Sequence, residues 1–439
     1  MLPYSPLHQL LVDDFSGPLI ATSANISGEP VLIDNRDVEA RLSHVADAFL
    51  HHNRDIQRPA DDPVYRIIGK TPRPIRLGRG NAPVELELPC KLEQPVLAVG
   101  GHMKNGVALA WDQRIVISPH IGDLDAPRSL EVFEQVIDDL QRLYHVTASR
   151  VVCDAHPGYA SSRWAARCGL PLLQVPHHHA HAAVLCGENP TESRWLVFTW
   201  DGVGLGADHS LWGGEALLGH AGHWQRVASM RPFYLPGGDK AGREPWRSAA
   251  ALCWETGTNW QPDIQGLDLL QQAWQQRLNC PETSAAGRLF DAAAAMLQLL
   301  DSASFEGQGP MLLESTAADG IAEAISLPLQ QDGNNVWRSD WSVLLPMLLD
   351  KTMPVSQRAR CFHDSMALAL LEQAKQTREQ HGDFCVGLCG GVFQNRLLTE
   401  QVIELLQAAG FRYTIPQQVP VNDAGLCYGQ VIESMAPAG

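Results

Sequence analysis

Trp195–His220 reads WLVFTWDGVGLGADHSLWGGEALLGH, an apolar run that enters an Asp-Gly-rich turn and comes back as a second apolar run. The pattern predicts a strand, a glycine-rich turn and a returning strand. Val96–Pro119, VLAVGGHMKNGVALAWDQRIVISP, follows the same design upstream. Glycine suits such turns because a backbone N–H can then approach an oxygen with no Cβ in the way. Neither turn is a Walker-type phosphate loop, since no GxxxxGKS or GxxxxGKT string occurs. A design used twice predicts two lobes.

Working outward, SLEVFEQVIDDLQRLYHV lies between the repeats and forms an amphipathic helix whose apolar stripe (Leu130, Phe133, Val136, Ile137, Leu140, Leu143) is read as packing. RVVCDAHPGYASSRWA is strand, loop and helix, with Asp154 and His156 at the strand end. Pro176–Cys186, PHHHAHAAVLC, opens a helix on a proline and puts His177 and His181 one turn apart on one face. Two neutral imidazoles at that spacing can hold one metal ion and leave positions for carboxylates or substrate. Asp201 and the loop VPVNDAGL, with Asn422 and Asp423, supply acidic turns that could converge on the pair. From about residue 245 the chain is mostly helical until FCVGLCGGVFQNRLLTEQ, a strand, a turn at Gly390 and Gly391, and a helix. Those glycines offer backbone donors at a helix start, where anions are favoured.

The first 84 residues differ in kind. PLIATSANISGEP predicts an apolar strand at Pro18–Ala21 ending in Thr22, Ser23, Asn25 and Ser27, whose hydroxyls and amide could bind phosphate or sugar oxygens. VADAFLHHNRDIQRPADDPVYRII then predicts a helix, a loop and a strand. Arg73, Arg76 and Arg79 in TPRPIRLGRGNAP make a local basic cluster, a candidate anion site. The proline- and charge-rich stretch after it is read as a linker at 85–95.

Composition bounds the rest. The chain has 439 residues, 45% hydrophobic and 19% charged, with a formal net charge of −16. That balance argues against nonspecific binding to nucleic acid or an anionic membrane. No apolar run reaches membrane-spanning length, and no signal peptide is evident. Ten cysteines with no CxxC pair suit reduced thiols in a cytoplasmic protein.

Read together, LAVGGHMKNGVALA, VVCDAHPGYASSRWA, VPHHHAHAAVL, TWDGVGLGADHSLWGGE, LPGGDKAGREPWR, AAGRLFDAAAAML, GGVFQNRLL and VPVNDAGLCYGQ resemble the HypF family, the carbamoyltransferases of nickel–iron hydrogenase maturation. The motifs run in one order from about residue 96 to about residue 432. TSANISGEP and IRLGRGNAP resemble the C-terminal half of the YrdC-like domain that precedes them in that family. The resemblance implies an α/β fold. A partial, α+β YrdC-like piece (1–84) precedes a two-lobed actin-like (ASKHA) unit (96–435), a duplicated ribonuclease H-like motif with lobes at about 96–195 and 196–435. The family's acylphosphatase-like domain and zinc motifs have no counterpart here, so the chain is expected to be a C-terminal fragment. It is expected not to make carbamoyl-AMP from carbamoyl phosphate and ATP, while its two-lobed unit is expected to fold alone. Cys389 stands where a serine is usual, which is expected to loosen a hydroxyl contact to nucleotide. Gly309, Pro310 and Leu312 depart from an expected pattern of small residues and a glutamate, with an effect on packing.

The implied chemistry is carbamoyl transfer from carbamoyl-AMP, made from carbamoyl phosphate and ATP with magnesium, to the C-terminal cysteine of HypE. By motif match His177, His181 and Asp423 are metal ligands, with Asp201 a fourth, directly or through water. The metal so implied would be zinc or iron(II). Lys104 and Arg243 or Arg247 would neutralise phosphate or orient the carbamoyl group. Gly202, Gly204, Gly390, Gly391 and Asn395 would seat the nucleotide in this unit, and Ser23, Asn25 and Arg79 would do so in the YrdC-like piece. His178 and His179 lie off the ligand face. Three other readings compete: a tRNA threonylcarbamoyl transferase-like enzyme, which the lack of a basic stripe disfavours; a small-molecule O-carbamoyltransferase; and an inactive nucleotide-binding module.

Overall fold

The computed structural model describes residue 3 and residues 5–436. Ser5 caps α1 (Pro6–Phe15) by accepting from the His8 amide at 3.2 Å, and Asp34 caps α2 (Asn35–Leu42) through the amides of Arg36 and Asp37. No residue of α1 is buried. The strand expected at Pro18–Ala21 does not form; the segment is irregular and exposed. A short apolar run makes a strand only where a partner strand takes up its backbone groups, and this one has none among the described residues. The helix expected in VADAFL is also absent, because the chain turns helical earlier, where Asp34 supplies the cap. β1 (Val64–Ile68) and β2 (Thr71–Arg76) form an antiparallel hairpin.

The first lobe's sheet contains β3 (Val84–Glu87), β4 (Val96–Ala98), β5 (Ala108–Trp111), β6 (Arg114–Ile117), β7 (Arg150–Asp154) and β8 (Leu172–Val175), in the order β3-β6-β5-β4-β7-β8. β3 corrects the expected linker: residues 84–87 pair with β6 as an edge strand, and Leu88 is buried behind them. The flanking prolines that suggested a linker are tolerated at an edge. α3 (Pro127–Tyr144) lays Val132, Phe133, Val136, Ile137 and Leu140 on this sheet, and α4 (Ala160–Ala165) follows β7. The expected packing role of the α3 stripe holds except at Leu143, which is exposed. After β8 the chain enters α5 (His177–Glu188).

The second lobe is built on β9 (Trp195–Leu205), β10 (Leu211–His220) and β11 (His223–Met230). Short strands β12 (Phe233–Tyr234), β13 (Glu282–Thr283), β14 (Leu329–Gln331) and β15 (Trp337–Ser339) extend it, followed by β16 (Cys385–Cys389) and β17 (Tyr413–Thr414). Its main path is β14-β15-β11-β10-β9-β16-β17. Within it, β11-β10-β9-β16-β17 repeats the order and sense of β6-β5-β4-β7-β8: three antiparallel strands, then two parallel to the central one. The duplication expected from the two glycine-rich repeats is therefore a duplication of topology. Helices α6 (Trp246–Thr256), α7 (Leu267–Gln275), α8 (Ala286–Met296), α9 (Gln308–Ala317), α10 (Leu345–Leu349) and α11 (Val355–His381) lie between β11 and β16, and α12 (Arg396–Ala408) joins β16 to β17.

α13 (Leu426–Ser434) ends the described chain. It packs on β4 and β7 of the first sheet, whereas α5 packs on β9, β10 and β16 of the second, and the two helices pack on each other. Each lobe's last helix thus crosses to the other lobe, so a boundary at residue 195 divides the sequence but not the packing. Glycines let them meet closely. A Cβ on Gly429 would collide with the Ala180 carbonyl oxygen, and one on Gly187 would lie 2.5 Å from the Tyr428 hydroxyl. No helix is long and apolar enough to cross a membrane among the described residues.

Candidate metal centre

β9 is apolar and buried from Trp195 to Trp200, as a central strand covered on both faces must be. Asp201 is its first carboxylate, placed where the strand emerges toward the crossing helices. α5 contributes His177 and His181, and the turn before α13 contributes Asp423. The two imidazole rings are 5.0 Å apart between centroids. His177 Nε2 and His181 Nε2 lie 3.3 and 3.2 Å from Asp201 Oδ2, and 3.8 and 3.5 Å from Asp423 Oδ1. All four donor atoms fall within 4.8 Å of one another. Tetrahedral zinc with bonds near 2.0–2.1 Å needs donor atoms about 3.3 Å apart, so the set fits a divalent ion.

Three of the four residues, His177, His181 and Asp201, are each held by a partner behind them. His177 Nδ1–H donates to Asp154 Oδ2 at 2.7 Å, and Asp154, fully buried, is itself fixed by the His156 amide at 2.8 Å. That bond fixes the tautomer and leaves Nε2 for a ligand. His181 Nδ1 faces a weaker partner, the Cys389 sulfur at 3.7 Å, which lies 3.6 Å from the Val421 carbonyl. Asp201 spends Oδ1 on the amides of Gly202 at 2.8 Å and Gly391 at 3.2 Å, so Oδ2 alone faces the histidines.

The electrostatics follow from burial among carboxylates. Burial disfavours an imidazolium at His177, but Asp154, Asp201 and Asp423 outweigh it and push the pKa up to about 10. His181 is raised in the same way, burial being overcome by Asp201, Asp423 and Cys389. For Asp201, burial favours the neutral acid, yet the two histidines hold it well below the usual carboxylate range. His178, buried among these cations, is driven well below an ordinary histidine. Protons on His177 and His181 thus balance the carboxylates, and a divalent cation can replace them with the same charge.

Lys104 and Glu306 form an ion pair beside this cluster. Burial alone would lower the lysine's pKa, but Glu306, Asp423 and Asp201 raise it above the usual value. Arg288 is the second cation: a Cβ on Gly202 would sit 3.4 Å from its Nη2, and it pairs with Asp291 at 3.0 Å. Burial, opposed by Arg288, pushes Asp291 up to about 6. Asp154, Arg288 and Glu306 were given no role by sequence reasoning. Asp154 was visible as an acid at a strand end and Arg288 as the charge inside AAGRLFD; Glu306 carried no signal.

Other expected site residues lie differently. Arg243 is exposed, and Arg247 pairs with Glu244 at 2.5 Å while lying over Trp246. The amides of Gly202 and Gly391 point at Asp201, and that of Gly390 points at Val421 O at 2.8 Å. A Cβ on Gly204 would meet His177 Cδ2 at 2.5 Å. Gly202 and Gly391 thus bond a carboxylate of the candidate cluster, and Gly204 lies against one of its histidines. Asn395 is occupied at both ends: Oδ1 caps α12 through the Leu398 amide and Nδ2 donates to His363 Nε2, each at 2.9 Å. Cys389 touches His181. In the N-terminal piece Ser23 and Asn25 bond to each other in the open, and Arg79 pairs with Asp62 at 2.8 Å. In the expected anion cluster Arg76 faces the Asp61 carboxylate at 3.9 Å and donates to the Asp62 main-chain oxygen, while Arg73 is buried against the carbonyls of Ile415 and Pro416.

Comparison with known proteins bears on the family and the fold. Residues 197–430 match the family model for the second subdomain of the Kae1-like domain of carbamoyltransferases, and residues 91–188 match the HypF Kae1-like domain. Residues 1–78 match the Sua5/YciO/YrdC model, described as telomere recombination. The carbamoyltransferase HypF of Synechocystis sp. is 36% identical over 98% of this chain and 59% of its own length; that of Rhodobacter capsulatus is 38% identical over 99% and 59%. A carbamoyltransferase HypF homolog from Cupriavidus necator is 35% identical over 76% of this chain and 90% of its own. The chain therefore spans about three-fifths of the first two relatives. The crystal structure of a full-length HypF in a phosphate- and nucleotide-bound form superposes with a TM-score of 0.94 at 32% identity, over 99% of this chain and 58% of that one. T. kodakarensis HypF gives 0.84 at 28% identity, over 94% and 56%. With models covering both lobes and relatives agreeing along nearly the whole chain, the protein belongs to the HypF family of carbamoyltransferases.

Proposed function

We propose that the two-lobed unit moves a carbamoyl group from carbamoyl-AMP to the C-terminal cysteine thiolate of HypE, in the synthesis of the cyanide ligands of nickel–iron hydrogenase. The reading rests above all on four donor atoms within 4.8 Å of one another, with Lys104 beside them. His177, His181, Asp201 and Asp423 would hold a zinc or iron(II) ion, which when bound supplies a Lewis acid toward carbonyl and phosphate oxygens. Lys104 keeps its proton and stabilises the charge that grows on the departing phosphate. Arg288, over Gly202, orients the same group. Asp154 and the Gly202 and Gly391 amides keep the ligands in place.

The nucleophile comes from the partner. Burial pushes the thiol of Cys153 up to about 11 and those of Cys253 and Cys427 up to about 12, so these thiols are protonated and unreactive at neutral pH. Carbamoyl phosphate and magnesium ATP are the substrates upstream of carbamoyl-AMP in the full-length reaction.

The test is the intact mass of HypE after incubation with supplied carbamoyl-AMP. A carbamoyl adduct on its C-terminal cysteine is expected with wild type and not with His177→Ala/His181→Ala. No adduct from folded, metal-loaded wild type would overturn the proposal.

A further inference from the structure

Gln394, in the turn after β16, is bonded in three directions. Its side-chain Nε2 donates to Gly391 O at 3.0 Å, its Oε1 accepts from Asn422 Nδ2 at 2.9 Å, and its main-chain oxygen accepts from Arg66 Nη1 at 2.9 Å. The first bond fixes the turn whose Gly391 amide holds Asp201. The second reaches the residue just before Asp423. Asn422 is buried, with Oδ1 accepting from the Ala424 amide at 3.0 Å and Nδ2 also reaching Ile75 O on β2 at 3.1 Å. The third bond leads to the β1–β2 hairpin. Arg66 is anchored there by Glu314 at 2.6 and 3.0 Å, and Glu314 also accepts the first amides of α12. Gly69 adds a bond to Glu400 at 3.1 Å.

Two carboxylates of the cluster, far apart in sequence, thus hang from one amide side chain, and that side chain is tied to a hairpin of the N-terminal piece. We propose that Gln394 is a positioning residue that, with Asn422, sets the spacing of Asp201 and Asp423. Through Arg66 and Ile75 that spacing depends on docking of the β1–β2 hairpin, so the N-terminal piece tunes the metal affinity of a centre to which it contributes no ligand. The inference rests on the reading that the cluster holds a divalent ion. Coordination tolerates displacements of only about 0.2 Å, and loss of an outer partner commonly lowers metal affinity about 10–100-fold.

The experiment uses the full chain with Zn2+ alone, by competition with a chromophoric chelator, and Co2+, by its absorption spectrum. Gln394→Leu is expected to weaken Zn2+ about 10–100-fold and to alter the Co2+ bands. Arg66→Leu, a change at the half-exposed hairpin, is expected to weaken Zn2+ about three- to tenfold, the worth of a hydrogen bond near the middle of its range, and Arg66→Lys to recover most of it. Wild-type affinity and spectrum in both leucine variants, with only a lower melting temperature, would overturn the inference and leave the metal reading standing. A wild type that binds neither ion would overturn the metal reading and the inference with it.

Discussion

The candidate metal centre and the first 62 or so residues obey different rules, and the contrast shows where this chain keeps its specificity. At the centre His177, His181 and Asp154 have no exposed surface, and each histidine's Nδ1 faces a partner that is itself held. In the N-terminal segment α1 buries nothing, and Leu10, Phe15 and Ile20 are exposed. A change at the centre leaves a buried polar group without its partner, which is costly. A change on α1 alters only a hydrated side chain. The β1–β2 hairpin is where the two regimes meet, because buried Arg73 ties it to Ile415 and Pro416.

The contrast can be tested in descending order of effect. The largest concerns His363, whose Nδ1–H donates to Ala359 O at 2.8 Å while Nε2 accepts from Asn395. Burial pushes its pKa down to about 4. Between the unfolded value near 6.5 and that value, the unfolded chain binds a proton that the folded chain refuses. The contribution of His363 to stability therefore rises with pH from 4 to about 6.5 and is level above. In His363→Gln that loss on acidification should shrink by about 3 kcal/mol, read from urea melts at pH 4 and 7. His120, held down in the same direction by burial, stays in both proteins and cancels.

Next comes Asp154→Asn, which removes the charged partner of His177 and should cost about 10–100-fold in Zn2+ affinity. Cys389→Ala removes only a sulfur contact from His181, and about twofold is expected, the weak end of a hydrogen bond's worth. Equal losses in these two variants, measured by the same chelator competition, would show that the two histidines are supported alike. The smallest effect belongs to the other region. Leu10→Ser and Phe15→Ser should leave thermal unfolding within about 0.5 kcal/mol of wild type, and a larger loss would mean that α1 contributes to the core after all.

The same contrast explains what could be read from the sequence. The lobes were legible because a buried strand, a glycine turn and a returning strand are local patterns, and each occurred twice. His177 and His181 were legible because four residues make one helical turn, and the structure brings Asp201 and Asp423 to them. The supports were not legible. Gly391 meets Asp201 across 190 positions of sequence, and Gln394 meets Arg66 across 328; no local period encodes either. Local signal also misled. The apolar run at Pro18–Ala21 has strand composition but no partner, while VELE at β3 is an edge strand that its flanking prolines disguised.

The crossing of α5 and α13 carries one more consequence. Gly187 of α5 receives Tyr428, and Gly429 of α13 receives the Ala180 carbonyl, so the helices interlock through one glycine on each. Sliding by a single residue would shift α13 by about 1.5 Å. Asp423 sits just before α13, and such a slip would carry its carboxylate well outside coordinating distance of the histidines. Mutational tolerance is therefore narrow at Gly429, where one added methyl group would act as a spacer between two rods and detune a site that the residue never touches.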